Sequence, residues 1–153
     1  MSALKDRLRA ELTTAMKARD SLRSSTIRMV LTAITNAEVA GSEARELSDE
    51  DVIAVLATEN KKRREAAEAF DDGNRPELAQ KERDEAAVIA DFLPAQLSED
   101  EIRDLVAAAI EQTGAAGEGM KAMGKVMGVV TPQTKGRADG ALVAAEVRRQ
   151  LTS

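Results

Sequence analysis

The segment GMKAMGKV, residues 119–126, contains most of a phosphate-binding loop: a glycine, four further residues, a second glycine and a lysine. A loop of this kind continues with a serine or threonine whose hydroxyl binds magnesium, and it follows a buried strand. Here Val126 occupies the hydroxyl position, and the preceding AIEQTGAAGE has no strand pattern. We therefore expect no nucleotide site in this segment and interpret it as a helix.

This predicted helix has three kinds of surface. Apolar residues recur at steps of three and four, which predicts a buried stripe of Met120, Met123, Met127 and Val130. Gly124 and Gly128 lie one turn apart beside that stripe, with Lys121 and Lys125 on the next face. A glycine inside a helix costs roughly 1 kcal/mol relative to alanine, so we expect close packing at both glycines. A second helix could pack against these glycines, or a phosphate backbone could approach them while the lysines reach its phosphates. The two interpretations are compatible.

Charge is unevenly distributed along the chain, although its net value is only −5. Residues 96–118 carry a net charge of −5, whereas residues 119–153 carry six basic and two acidic side chains. A polyanion responds to a local basic face more than to the total charge. The candidate nucleic-acid-binding residues are therefore the six cations of that tail: Lys121, Lys125, Lys135, Arg137, Arg148 and Arg149.

The composition removes several classes of chemistry. The chain has no cysteine and no histidine, which excludes thiolate and histidine catalysis and the commonest transition-metal ligand. Phe70 and Phe92 are its only aromatic residues, which nearly excludes base stacking. The acidic segments SDEDV and SEDE lack the spacing of a calcium loop and are interpreted as helix caps. We expect no catalytic residue, no metal site and no cofactor.

The run ENKKRREAAEAF is a second candidate basic site. Its four consecutive cations, Lys61 to Arg64, wrap a full helical turn and cannot form one patch. Acids stand four residues from three of them, in the pairs Glu59–Arg63, Lys61–Glu65 and Arg64–Glu68. We interpret the run as a solvated, salt-bridged helix face.

The elements that position these residues all have helical periodicity. The first helix is predicted to bury Leu4, Leu8, Leu12 and Met16. The last is predicted to bury Leu142, Val143, Val147 and Leu151. Start signals stand at Ser48, Ser98 and Asp139, and Pro132 is expected to stop the sixth helix, which begins near residue 119.

The predicted fold is all-α with two subdomains. Residues 1–94 form an N-terminal helical subdomain of about four helices, and residues 95–153 form a smaller three-helix subdomain. No apolar run approaches the roughly 20 residues of a membrane span, and the charged N-terminus is not a signal peptide. We therefore expect a cytoplasmic protein with no membrane partner.

Two long segments resemble a known family. The segment KKRREAAEAFDDGNRPELAQKERDEAAVIADFLPAQLSEDEI, followed by MGKVMGVVTPQTKGRADGALVAAEV, resembles the GatB/YqeY family, and the chain is similar over its whole length to stand-alone bacterial members. The second segment is similar to the tail domain of the B subunit of the tRNA-dependent amidotransferase. In that enzyme the tail helps to recognise tRNA, and amide transfer takes place in other domains.

The resemblance implies a non-catalytic tRNA-binding accessory protein. The family label, a carbon–nitrogen ligase with glutamine as amido donor, travels with the tail, and no independent activity is expected of this chain. Lys125, Lys135 and Arg137 match the tail where a tRNA-facing surface would be basic. The alternative is a helical protein-interaction module that docks on a translation-related enzyme, such as an aminoacyl-tRNA synthetase or the amidotransferase. The sequence determines no oligomeric state.

Overall fold

The computed structural model describes residues 2–153, which form helices joined by short connections and contain no strand. The all-α prediction is confirmed. The seven α-helices are α1 (Ala3–Lys17), α2 (Ser21–Val39), α3 (Asp49–Asp72), α4 (Pro76–Ala90), α5 (Glu99–Thr113), α6 (Met123–Thr134) and α7 (Gly140–Thr152), with a 3₁₀ turn at Gly119–Ala122.

Contacts divide the chain into two compact units. The first ends at Leu93 and contains α1 to α4, and the second is Pro94–Ser153 with α5 to α7. Each unit has a hydrophobic core of its own. That the two units are separate domains, with a boundary at residue 94, stays a prediction.

The core of the first unit is formed by one face of each of its helices. Leu8, Ile27, Leu56 and Ile89 are fully buried there, one from each of α1 to α4. Met16 was expected to extend this core but is exposed, because Ala15 occupies the buried position of that turn.

Five buried valines dominate the core of the second unit, and each of its three helices contributes at least one. Val106 of α5, Val126 of α6 and Val147 of α7 are all fully buried. Val126, the residue that argued against a phosphate-binding loop, is thus a core side chain.

Two side chains predicted to lie in this core are exposed. Met120 belongs to the 3₁₀ turn, which rotates by about 120° per residue, so the α-helical phase of α6 does not extend to it. Ala122 is buried in its place. Leu142 is exposed because Val143 and Val147, one turn apart, occupy the core side of α7.

Pro132 does not end α6, contrary to the sequence prediction. The helix continues through it to Thr134, although a proline supplies no backbone donor to the carbonyl of Gly128, four residues earlier. Gly128 is exposed, so water can hydrogen-bond to that carbonyl, and the missing donor does not require the helix to stop. The extra turn carries the helix as far as Lys135, which follows it directly.

Both capping boxes expected from the sequence are present. Ser48 accepts from the Asp51 backbone and Ser98 from the Glu101 backbone, while each acid accepts from the backbone N–H of its serine. The backbone hydrogen bond from Ser98 is the main reason that the pKa of Glu101 lies below its ordinary value of 4.5. A lowered pKa in the folded state means that this stabilisation is complete above the ordinary value and is lost as pH falls through the folded value.

Candidate nucleic-acid interface

The solvent side of α6 and of its 3₁₀ extension forms a strip of small and basic residues. Residues spaced three to four apart lie along one side of a helix. The exposed residues of α6 that follow this spacing are Gly124, Lys125, Gly128, Thr131 and Pro132. Together with the exposed lysines that flank the helix, Lys121 in the 3₁₀ turn and Lys135 directly after Thr134, they are named here the α6 strip. On the opposite side Val126 and Val130 are fully buried, so core packing fixes which side of α6 faces solvent.

The two glycines of the α6 strip are open to solvent. No heavy atom of a described residue outside the local helix backbone lies within 4 Å of a Cβ placed at Gly124 or at Gly128. The prediction that a helix packs closely against these glycines is therefore wrong for residues 2–153. The sequence suggested it because a helical glycine has a cost, but the tertiary structure leaves that face uncovered. The helix backbone at these two glycines is therefore accessible to solvent between the lysines.

An alanine at position 128 should stabilise the protein, because its methyl group meets nothing and removes backbone freedom from the unfolded chain. We expect Gly128→Ala to raise the free energy of unfolding by about 0.5–1 kcal/mol, measured by urea denaturation. The matched control is Gly114→Ala, which should lower stability because Gly114 has φ +67° at the end of α5. Destabilisation by Gly128→Ala would mean that something covers the glycine.

No acidic residue interrupts the sequence that carries the strip. Residues 119–138 contain four cations, Lys121, Lys125, Lys135 and Arg137, and no aspartate or glutamate. Helical rise places Lys135 about 15 Å along the axis from Lys125. Positive charge therefore extends along the whole length of α6, in a chain that is acidic in total.

Lys125 is engaged by an acid from the preceding loop. Its Nζ lies 2.8 Å from Glu118 Oε2, and both side chains are partly exposed. The hydrogen bond from Lys125 is the largest cause of the lowered pKa of Glu118, and the charge of Lys121 contributes. A phosphate approaching Lys125 must therefore compete with Glu118. Lys121 and Lys135 make no ion pair with any described residue.

Arg137 is a structural residue as well as a cation. Its Nε donates to the carbonyl of Ala95 at 3.1 Å and its Nη1 donates to the carbonyl of Gln133 at 3.3 Å. Its own carbonyl accepts from the backbone N–H of Leu97 at 2.8 Å. These bonds tie the loop after α6 to the segment before α5. Carbonyls do not neutralise a guanidinium, so the positive charge remains.

The two arginines of α7 do not lie together. Arg149 forms a two-pronged contact with Glu146, at 2.7 Å from Nε and 2.6 Å from Nη2. Both residues line a groove of about 290 Å³ between α5 and α7. Arg148 points away from this contact at about 100° around the axis of α7, the rotation between successive helical residues. Of the six predicted cations, Lys121, Lys125 and Lys135 belong to the α6 strip, whereas Arg137 lies in the loop after it and Arg148 and Arg149 lie on α7. That any of the six binds nucleic acid stays a prediction.

The second basic run is only partly a solvated face. Lys61–Glu65 is an exposed pair as expected, at 4.0 Å. Arg63, however, is only 8% exposed and crosses to α4, where its Nε lies 3.2 Å from Glu85 Oε2. Glu85 is itself 7% exposed. The solvated-face interpretation is therefore wrong for Arg63, because this side of α3 packs against α4.

The Arg63 site is saturated by its own neighbours. Arg63 Nη1 donates to Glu59 at 2.8 Å from the carboxylate and 3.0 Å from the carbonyl, and Asn60 donates to the carbonyl of Ala86 at 3.1 Å. The signal for burial was present in the sequence. The buried residues of α3 recur at steps of three and four straight through the polar ones: Val52, Leu56, Asn60, Arg63 and Ala67.

The described residues also limit two other kinds of site. Across residues 2–153 no helix is long and apolar enough to cross a membrane. Within the same range no three acidic side chains are grouped so that they could hold a metal ion. The carboxylates at the start of α3 and α5 instead take part in the capping boxes.

Comparison with known proteins gives one family and several fungal relatives. A family model described as "Yqey-like protein" matches residues 5–151. The chain is 34% identical over 88 residues to "Altered inheritance of mitochondria protein 41, mitochondrial" of Lachancea thermotolerans, which is 56% of this chain and 46% of that protein. The protein of the same name in Meyerozyma guilliermondii is 33% identical over 86 residues, covering 56% of this chain and 44% of that protein.

A third relative is an uncharacterized protein of Schizosaccharomyces pombe. It is 34% identical over 92 residues, covering 60% of this chain and 72% of that protein. The match spans less than half the length of the two mitochondrial relatives. Their names place those proteins in mitochondria, and a cytoplasmic location for this chain stays a prediction.

Proposed function

The chain belongs to the Yqey-like protein family, and from this premise we propose that it is a non-catalytic accessory protein that binds tRNA through the α6 strip. One observation carries the proposal: the α6 strip contains three exposed lysines, two open glycines and no acid of its own, and Glu118 of the preceding loop pairs with only one of the lysines, Lys125. Phosphate contacts supply most of the sequence-independent affinity for nucleic acid, and lysine is a compact point charge suited to them.

The geometry favours recognition of the sugar–phosphate backbone. Because Gly124 and Gly128 have no side chains, a backbone can lie close to the helix surface between the lysines. The exposed hydroxyl of Thr131 can donate to a phosphate oxygen in the same strip. The chain has no aromatic residue on α6 to stack on a base. We therefore infer that this surface positions the RNA and reads its shape and charge.

Salt dependence of binding tests this proposal directly. Titration of bulk tRNA from about 25 to about 250 mM salt should give a log–log slope of about −2 to −3, as three phosphate contacts imply. Unmodified protein should suffice, since no cofactor is invoked. Absence of binding at the lowest salt, or a slope near zero, contradicts the proposal.

Removing the acid that pairs with Lys125 should strengthen binding. In Glu118→Gln a phosphate no longer has to displace the Glu118 carboxylate from Lys125. We therefore expect about three-fold tighter tRNA binding at low salt. Fluorescence anisotropy with labelled tRNA measures the change. The matched control is Glu111→Gln, which makes the same charge change at an exposed position of α5. An equal gain in both variants would assign the effect to net charge and not to Lys125.

The groove between α5 and α7 supports a second candidate function, a protein-interaction module. Leu142 is exposed at this groove, whose apolar lining also includes Ile102 and Ala145. A translation-related enzyme that docks there should be recovered with the purified chain after nuclease treatment. Leu142→Ser should abolish that recovery and leave tRNA binding intact. If nuclease treatment of the wild-type sample removes the partner enzyme, the two proteins were held together by a shared RNA.

A further inference from the structure

A second positive surface lies at the turn between α1 and α2. Residues 12–37 contain four cations and one acid, Asp20, although the whole chain has 27 acids. Asp20 caps α2 by accepting from the backbone N–H of Arg23. Lys17, Arg19 and Arg28 are exposed and make no ion pair with any described residue. This surface belongs to the first unit and is separate in sequence from the α6 strip.

Arg19 has a positive φ, a backbone conformation for which the fold does not require an arginine. Its φ is +58°, and it closes the end of α1 by donating its N–H to the carbonyl of Met16 at 3.1 Å. Glycine is the usual residue at such a position, because a Cβ is strained at positive φ. The described structure gives the guanidinium of Arg19 no partner. The Arg19 guanidinium is therefore available to bind an anionic partner outside the chain.

Large apolar side chains stand beside these cations. Met16 is 51% exposed just before the turn, and Leu22 is 37% exposed just after it. Met29 is 42% exposed and lies on the same side of α2 as Leu22, since seven residues make about two turns or roughly 10 Å. Three exposed large apolar side chains accompany the cations here, whereas the α6 strip has glycines between its lysines and one exposed large apolar neighbour, Met120.

We propose that the hairpin tip, defined as Met16, Lys17, Arg19 and Leu22, docks on an anionic lipid bilayer. The cations lie against acidic headgroups while Met16 and Leu22 enter the interface between headgroups and acyl chains. A nucleic-acid backbone would use the cations but would gain nothing from the two apolar side chains. Peripheral contact of this kind needs no membrane-spanning helix, so it is compatible with the helices of residues 2–153, although it departs from the expectation of no membrane partner drawn from the sequence.

Vesicle flotation of the full chain tests the proposal. Vesicles of phosphatidylcholine with about 30 mol% phosphatidylserine should carry the protein, pure phosphatidylcholine should not, and the bound fraction should fall with salt. Lys17→Glu combined with Arg19→Glu should reduce partitioning by more than about tenfold. Met16→Ser combined with Leu22→Ser should reduce it several-fold with no change in charge. Arg75→Glu combined with Lys81→Glu is the matched control, because it makes the same charge change at two exposed residues outside both proposed surfaces, and it should leave partitioning unchanged.

The variants also separate the competing occupants. No partitioning into anionic vesicles overturns the proposal, as does unchanged partitioning of the Met16→Ser, Leu22→Ser protein, which would indicate an ionic contact alone. Loss of tRNA binding in the double charge reversal, without any vesicle binding by the wild type, would assign the tip to nucleic acid. Arg19→Gly guards against misfolding: it should keep or raise the thermal midpoint, because glycine relieves the positive φ, and still weaken partitioning.

Discussion

Replacing Arg63 with alanine should lower the free energy of unfolding by about 3 kcal/mol or more. The guanidinium is the only cation within 4.0 Å of Glu85 in the described chain, and removing it leaves a nearly buried carboxylate unpaired between α3 and α4. It also removes the packing of the arginine side chain against Met29, whose sulfur lies 4.0 Å from Nη2. Urea denaturation followed by circular dichroism measures the loss.

Two further variants identify the cause of that loss. Lys62→Ala, at an exposed neighbour in the same run, should change stability by less than about 0.5 kcal/mol. Arg63→Met combined with Glu85→Met removes both charges and should recover most of the stability, because an apolar pair of similar volume is often as stable as a buried ion pair. Glu59 then keeps Lys62 as its partner at 3.5 Å. A cost below about 1 kcal/mol for Arg63→Ala would show that the site is more hydrated than its burial indicates.

Reversing the charge at both ends of the α6 strip should nearly abolish tRNA binding. For Lys121→Glu combined with Lys135→Glu we expect at least a 30-fold loss of affinity at low salt, together with a salt slope shallower by about 1.5 to 2. Each reversal removes one phosphate contact and adds a repulsion. Neither lysine has an ion pair among the described residues, so the fold should be unaffected. Anisotropy titrations at several salt concentrations measure both quantities.

A second double reversal distinguishes a local surface from total charge. Arg75→Glu combined with Lys81→Glu gives the same net charge at exposed positions of the first unit, where neither residue has an ion pair within the described chain. Its effect on tRNA affinity should be less than about threefold, because it removes no lysine of the α6 strip and therefore none of the proposed phosphate contacts. Equal losses in the two double variants would refute the assignment to α6.

The helices were predictable because their signals are local. Ser48, Ser98 and Asp139 cap the helices that follow them, and each cap bonds to a backbone N–H at most three residues away. Pro76 begins α4 at the first helical position, where its missing donor has no consequence. Such signals depend on neighbours in the chain, so they are legible without the tertiary structure. The all-α fold followed from them.

The composition of the candidate interface was also fixed by the sequence. The cations of residues 119–138, the missing acids and the four-residue spacing of Gly124 and Gly128 are all legible there. What the sequence alone misjudged was phase and pairing. Met120 is exposed because a 3₁₀ turn breaks the helical phase, and Arg149 is held by Glu146.

The tertiary structure alone decided which surfaces are covered. A helical pattern specifies the two sides of α6, but only the packing of α5, α6 and α7 shows that no described residue covers Gly124 and Gly128. A run of four cations specifies charge, but only the contact of α3 with α4 places Arg63 beside Glu85. Burial and ion pairing join residues far apart in the chain, whereas caps and periodicity join near neighbours. For this reason the sequence determined the helices and their charges, and the packing determined which charges remain free for a partner.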